Sequence, residues 1–165
     1  MKKLVLLGLF AIFAMGMTQA QNQFRVGAQG GVPVGDADNF TVFAIAVELG
    51  YLFEINDSFQ AGPSAGVQHF FGETFTNILG DDISRDETFL PISGTARFSP
   101  VDNFWFGADL GYAVGLSDGL DGGFYYKPHA LYDFGPVAAT LGYSGIAGDG
   151  ITVSAVLFGV EFGFN

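Results

Sequence analysis

The sequence predicts an all-β protein built as one closed antiparallel barrel of eight strands. Its 165 residues include 25 Gly and 19 Phe, whereas only 14% are charged. Most of the chain alternates between bulky apolar and small residues, which is the period of a β-strand. After residue 20 there is neither an apolar stretch long enough for a membrane helix nor a sustained helical period.

The composition excludes several classes of protein. A chain that is 49% hydrophobic is too apolar to be disordered. It contains no cysteine, so it has neither a disulfide scaffold, nor a thiolate zinc site, nor a lipoprotein anchor. The formal charge of −11 argues against a nucleic-acid partner. The excess of Gly and Phe is the feature that remains to be explained.

The first twenty residues are typical of a secretory signal peptide. Lys2 and Lys3 precede an unbroken apolar run over 4–15, which is shorter than the ~20 residues that span a bilayer as a helix. We expect cleavage after Ala20, leaving a barrel domain of residues 21–165. Removing two of the 6 basic residues leaves 4 against 17 acidic ones, a charge of 4 − 17 = −13.

Side-chain size indicates which face of each strand points outward. In segment 151–164, Val and Phe occupy one face, while Gly, Ala, Leu and Glu occupy the other. A sheet face in water would be rich in Lys, Glu and Arg, yet only Lys127 remains after residue 20. Small residues suit the narrow interior of an eight-stranded barrel, and Phe suits contact with lipid. The alternating segments are 23–34, 40–54, 59–71, 88–99, 104–117, 124–134, 136–147 and 151–164.

The connections alternate between short and long. Tight turns are predicted at 55–58, 100–103 and 133–136, and the longest connection runs from about 72 to 87. Short periplasmic turns and longer extracellular loops are expected of a transmembrane barrel with both termini in the periplasm.

Three prolines fall inside predicted strands, namely Pro63, Pro91 and Pro128. Each removes one ladder hydrogen bond, and a closed barrel has no free edge that would tolerate this loss. We therefore expect local bulges there, or strand boundaries displaced by one or two residues.

Residues 23–165 resemble the small eight-stranded OmpA/OmpX-type, porin-family barrels of Gram-negative outer membranes. The resemblance rests on the signal peptide, the strand number, the alternation and the aromatic-rich last strand. It implies that the barrel-assembly machinery reads an aromatic residue at the end of that strand. Phe162 and Phe164 match this signal, although Asn165 displaces it by one residue.

Charged residues on the small-residue face are predicted to form a network in the lumen. An isolated charge there is costly to desolvate, so we expect Arg25 to pair with Glu48 or Glu161, and Asp109 with Lys127 or Arg97. The network would either gate a small pore or form a plug of mutually satisfied charges, and the nearly filled interior of such barrels favours the plug. The network comprises Arg25, Glu48, Arg97, Asp109, Lys127 and Glu161, with His129 beside it.

The predicted outer loops hold ten acidic residues and one base, Arg85. Asp81, Asp82, Asp86 and Glu87 are candidate contacts for divalent cations, which also bridge lipopolysaccharide phosphates. Because the acidic residues lack the complete spacing of an EF-hand loop, we favour solvated loops that could bind an external ligand. We predict no confident metal site and no cofactor.

These observations predict a monomeric integral protein of the outer membrane, in contact with lipid and lipopolysaccharide. Its role would be structural, envelope-stabilising or one of surface interaction, with at most a narrow pore. The alternative is a secreted, soluble, lipocalin-like barrel that binds an apolar ligand. A lipid-modifying enzyme is less favoured, because His69, Ser84 and Asp86 have no triad spacing and His69 falls on the predicted lipid face.

Overall fold

The computed structural model describes residues 22–35, 41–72, 74–76, 82–84, 86–117, 119–148 and 152–164. The predicted signal peptide and its cleavage site lie outside the described residues. None of the described residues belongs to a helix that is long and apolar enough to cross a membrane.

Eight antiparallel strands close into a barrel, which confirms the predicted fold class. Each strand pairs with its neighbours along the chain, and the last strand closes on the first. Two further short strands form a separate hairpin inside the long connection, which the sequence predicted as a loop. The strands are β1 (Asn22–Val34), β2 (Thr41–Asn56), β3 (Phe59–Gly72), β4 (Thr74–Thr76), β5 (Asp82–Ser84), β6 (Glu87–Val101), β7 (Phe104–Gly115), β8 (Gly123–Asp133), β9 (Val137–Ala147) and β10 (Thr152–Phe164), with β4 and β5 forming the hairpin.

The two ends of the barrel differ in their connections, as predicted. At one end, β2–β3, β6–β7 and β8–β9 are joined by the short turns 57–58, 102–103 and 134–136. Asn103 has a φ of 66°, a left-handed conformation that asparagine tolerates better than most residues. We call this the turn end; β1 begins there and β10 finishes there. The opposite end, where the longer connections lie, is the loop end.

Of the two outcomes expected at the three prolines, bulges are not found, whereas the boundaries of the strands that contain them differ from the predicted ones by no more than two residues. The pairing opposite Pro63 is missing from the β2–β3 ladder, that opposite Pro91 from β3–β6, and that opposite Pro128 from β8–β9. In each ladder the register is the same before and after the gap. A residue in an antiparallel sheet directs its N–H toward one neighbouring strand only, so each proline interrupts one ladder and keeps its pairing in the other.

The outer wall of the barrel is apolar, and charged side chains are buried in the interior. Large apolar side chains are exposed on all eight barrel strands, for example Phe158 at 62% and Leu110 at 56%. Lys127 and Asp109, by contrast, are 1% and 5% exposed. This distribution is the inverse of that in a soluble barrel, whose bulky apolar side chains fill the core.

The interior wall approaches a neighbouring backbone closely at Gly111. A Cβ atom on this residue would overlap with the carbonyl oxygen of Ile92 on β6, whereas one on Gly27 would lie 3.8 Å from its nearest neighbour. We therefore expect Gly111→Ala to lower the free energy of unfolding by about 1–3 kcal/mol, through overpacking. Urea titration in detergent measures this change.

Gly27→Ala is the matched control, since Gly27 is also a strand glycine of the interior wall without a positive φ. It should lose no stability. Equal losses in the two variants would contradict the steric explanation.

Candidate functional site: the barrel interior

A carboxylate near the turn end joins two arginines across the lumen. Glu161 of β10 accepts hydrogen bonds from Arg97 of β6 through both oxygens, each at 2.7 Å. Arg25 of neighbouring β1 donates to Glu161 Oε1 at 2.8 Å. Because β10 and β6 are four strands apart around an eight-stranded ring, this bidentate pair connects opposite walls.

Neutral polar side chains surround the guanidinium of Arg25. Its Nη2 atom donates to the side-chain oxygen of Gln23 and, at 3.4 Å, to that of Gln60. Gln60 is 3% exposed. The arginine is therefore held by both ionic and neutral acceptors, as a buried cation requires.

A second charged group lies deeper in the barrel. Lys127 of β8 donates to Glu48 Oε2 of β2 at 2.5 Å, again between strands four positions apart around the ring. Asp109 Oδ2 lies 3.9 Å from the Lys127 ammonium and 3.6 Å from Nδ1 of His129. The hydroxyl of Tyr125 donates to Glu48 Oε1 at 3.3 Å.

The six charged residues proposed from the sequence thus lie together in the interior, as three cations and three anions. Arg25 is bound to Glu161, and Lys127 is bound to Glu48. Asp109 lies beside Lys127, at the limit of an ion pair. A cavity of about 20 Å³ lies between the two groups, and it has room for water but for no larger solute. The cavity is lined by Arg25, Glu48, Leu49, Gly50, Leu52, Ser64, Thr95, Arg97, Asp109 and Glu161.

The half of the interior nearest the loop end is filled mainly by apolar side chains, and one buried hydrogen bond, from Gln68 of β3 to Ser144 of β9 at 2.8 Å, crosses it. Phe70 and Phe89 are 0% and 1% exposed, and their rings meet edge to face with centroids 6.1 Å apart. Leu120 and Val153 pack against the cluster. We call this cluster the apolar plug; its buried members are Ala44, Ala46, Phe70, Phe89, Ala113, Tyr125, Ile146, Ala155 and Leu157.

Sequence reasoning missed the apolar plug. The signal was present as bulky apolar residues on the otherwise small-residue face, including Ile146 and Leu157. All the plug residues fall in the strand halves nearest the longer loops and on the inner face of the alternation. These two features together would have placed them in one cluster.

The last strand presents its aromatic residues outward. Phe162 and Phe164 are 43% and 55% exposed, and the ring of Phe164 lies 6.4 Å from that of Phe24 on β1. Asn165 lies outside the described residues. Their part in barrel assembly stays a prediction.

The candidate cation contacts are only partly described. Asp86 accepts a hydrogen bond from the Gly72 amide at 2.9 Å, and Glu87 begins β6. Asp81 lies outside the described residues, as does the side chain of Asp82. Among the residues that the structure describes, no group of three or more His, Asp or Glu side chains could hold a metal ion.

His69 has local partners on the barrel wall. Its Nδ1 atom lies 2.8 Å from the Thr88 hydroxyl, and its ring meets the edge of Phe71 at 4.5 Å. The described side chains around His69 therefore hold a strand-end histidine and do not assemble a triad with a carboxylate.

Comparison with known proteins supports the fold. No protein-family model matches the chain, and no curated protein matches it. The Yersinia pestis outer-membrane protein Ail, solved in a phospholipid bilayer nanodisc, is 13% identical with a TM-score of 0.59, over 88% of this chain and 100% of Ail.

Two further solved structures are also similar in fold to this chain. The N-terminal β-barrel domain of Pseudomonas aeruginosa OprF is 16% identical with a TM-score of 0.53, over 88% of this chain and 100% of that one. A de novo designed transmembrane β-barrel is 12% identical with a TM-score of 0.54, over 89% and 98%. The chain thus has the fold of small eight-stranded transmembrane β-barrels, which confirms the resemblance drawn from the sequence.

Proposed function

We propose that this protein is an integral outer-membrane β-barrel with a structural, envelope-stabilising or surface-interaction role. The inverted burial carries this proposal: bulky apolar side chains face outward from every barrel strand, and ion pairs are buried inside. An apolar surface that surrounds the whole barrel exceeds what soluble monomers expose, and the hydrocarbon of a bilayer would cover it.

The two ends differ in a way that supports one orientation. Short turns at one end and longer connections at the other are the arrangement of barrels with periplasmic turns and extracellular loops. The acidic loops would then face outward, toward lipopolysaccharide and external ligands. Phe162 and Phe164 would meet the assembly machinery from the periplasmic end.

The interior argues against the lipocalin-like alternative. A carrier needs an apolar cavity of a few hundred Å³, whereas the cavity among the charged residues measures only about 20 Å³, and five of its ten lining residues are charged. We assign no enzymatic activity, since the described side chains around His69 include the Thr88 hydroxyl and the Phe71 ring but no carboxylate that would complete a triad.

Detergent dependence tests the proposal. The chain without residues 1–20 should fold only in detergent or lipid, and the folded monomer should migrate differently from the boiled one in a gel. The reason is that only detergent or lipid would remove its apolar outer wall from water. A folded monomer in detergent-free buffer would exclude the membrane function.

A further inference from the structure

The interior of this barrel consists of two layers with opposite properties. The charged layer lies toward the turn end, and a cavity of water size lies between its groups. The apolar plug lies toward the loop end, with Phe70, Phe89 and Leu157 between 0% and 1% exposed. An ion that crossed the barrel would have to pass both layers in turn.

The two layers oppose that passage by different means. Charged and polar groups can replace part of the hydration shell of an ion, and side-chain pairs can exchange partners. The rings and aliphatic chains of the apolar plug offer water no hydrogen bonds, and the polar side chains at the same level, Gln68 and Ser144, bond to each other across the lumen at 2.8 Å. Hydrophobic constrictions close pores by excluding water.

Contacts between the layers place them in series. Tyr125 belongs to the apolar plug through its ring, and its hydroxyl donates to Glu48 of the charged layer at 3.3 Å. On the other side, Leu120 and Val153 pack against the apolar plug. In the described part of the interior, the charged groups and the apolar plug are therefore in direct contact.

We propose that the apolar plug, and not the charge network, is the barrier that keeps this barrel closed to ions. The inference rests on the proposed membrane function, and it places the barrier to ions in the half of the barrel nearest the loops. Phe70 and Phe89 are its central residues, because they are the largest apolar side chains in the cluster and they meet each other from adjacent strands β3 and β6.

Planar-bilayer recording tests the proposal with four proteins. The unchanged protein and the double variant Glu48→Gln/Lys127→Met should conduct no measurable current. The double variant Phe70→Ala/Phe89→Ala should conduct, because it opens a wettable path through the apolar plug. The matched control is Phe106→Ala/Phe158→Ala, which removes the same atoms from the outer wall and should remain silent.

A second measurement uses the absence of cysteine from the chain. Ser64→Cys places a thiol beside the cavity, below the apolar plug, and Asp121→Cys places one in an exposed position at the loop end. In vesicles, a membrane-impermeant thiol reagent added from the loop side should label Asp121→Cys and leave Ser64→Cys unlabelled. The single change Phe89→Ala should raise labelling at Ser64→Cys by roughly tenfold or more, as water enters the plug.

The outcomes separate the two proposals. If the unchanged chain fails to insert, shown by the lack of a heat-modifiable band from the vesicles, the proposed function fails. If it inserts, three results would each overturn the apolar plug as the barrier: current through the unchanged protein or the Glu48/Lys127 variant, silence of an inserted Phe70/Phe89 variant, or labelling of Ser64→Cys from the loop side in the otherwise unchanged chain.

Discussion

Replacing Glu161 with Gln is expected to lower the free energy of unfolding by about 3–5 kcal/mol, the range found when one partner of a buried ion pair is removed. Glu161 is 7% exposed and is bound by both Arg25 and Arg97. A neutral amide would leave two buried guanidinium groups without the carboxylate that they share.

Urea titration in detergent, followed by the fluorescence of the single tryptophan Trp105, measures this effect. The control is Asp57→Asn in the exposed β2–β3 turn, which removes a charge without uncovering a buried one. Equal midpoints for Glu161→Gln and the unchanged protein would show that the pairs at this site contribute nothing.

Replacing Arg25, Arg97 and Glu161 together separates the net contribution of their ion pairs to stability from the cost of leaving a buried charge unpaired. In Arg25→Met/Arg97→Met/Glu161→Leu no charge of the group remains unpaired. We expect stability that is unchanged or higher by about 1–4 kcal/mol, as for other buried ion pairs exchanged for apolar residues. A loss as large as that of Glu161→Gln would mean that the group stabilises the barrel in its own right.

Removing a buried positive charge should have an effect of similar size. We expect Lys127→Met to lower the free energy of unfolding by about 3–5 kcal/mol. Lys127 is 1% exposed and is the ammonium between Glu48 and Asp109. Methionine has a similar length but no charge, so the two carboxylates would lose their common partner. The unfolding titration applies here as well.

A double-mutant cycle with Glu48→Gln checks the cause. Because Glu48 Oε2 is the nearest acceptor of Lys127, at 2.5 Å, the double variant should be more stable than the sum of the single losses predicts. Simple additivity would show that Lys127 acts through its packing and not through Glu48.

Much of the fold could be predicted from the pattern of the sequence. The alternation in segments such as 151–164 depends on local residue types, and its period of two distinguishes a strand from a helix. The short turn at 102–103 also has a local cause, since Asn103 tolerates the left-handed conformation. The β4–β5 hairpin was not foreseen, because three-residue strands contain too little alternation to be recognised.

The charged residues could be assigned to one face but not to their partners. Neighbouring strands suggested Glu48 or Glu161 for Arg25, and both fitted the pattern. The structure pairs Arg25 with Glu161, and it pairs Glu48 with Lys127 of the opposite wall. Distances across a lumen depend on the tilt and stagger of all eight strands, which no single segment contains.

The sequence by itself determined the strand number, the outward apolar face and the set of charges on the inner face, because side-chain alternation is a local property of each strand. Only the tertiary structure decided which charges meet, how the prolines fit without bulges, and where the apolar plug forms. Those features arise when strands far apart in the chain face one another across a closed barrel, so closure and register are their physical cause.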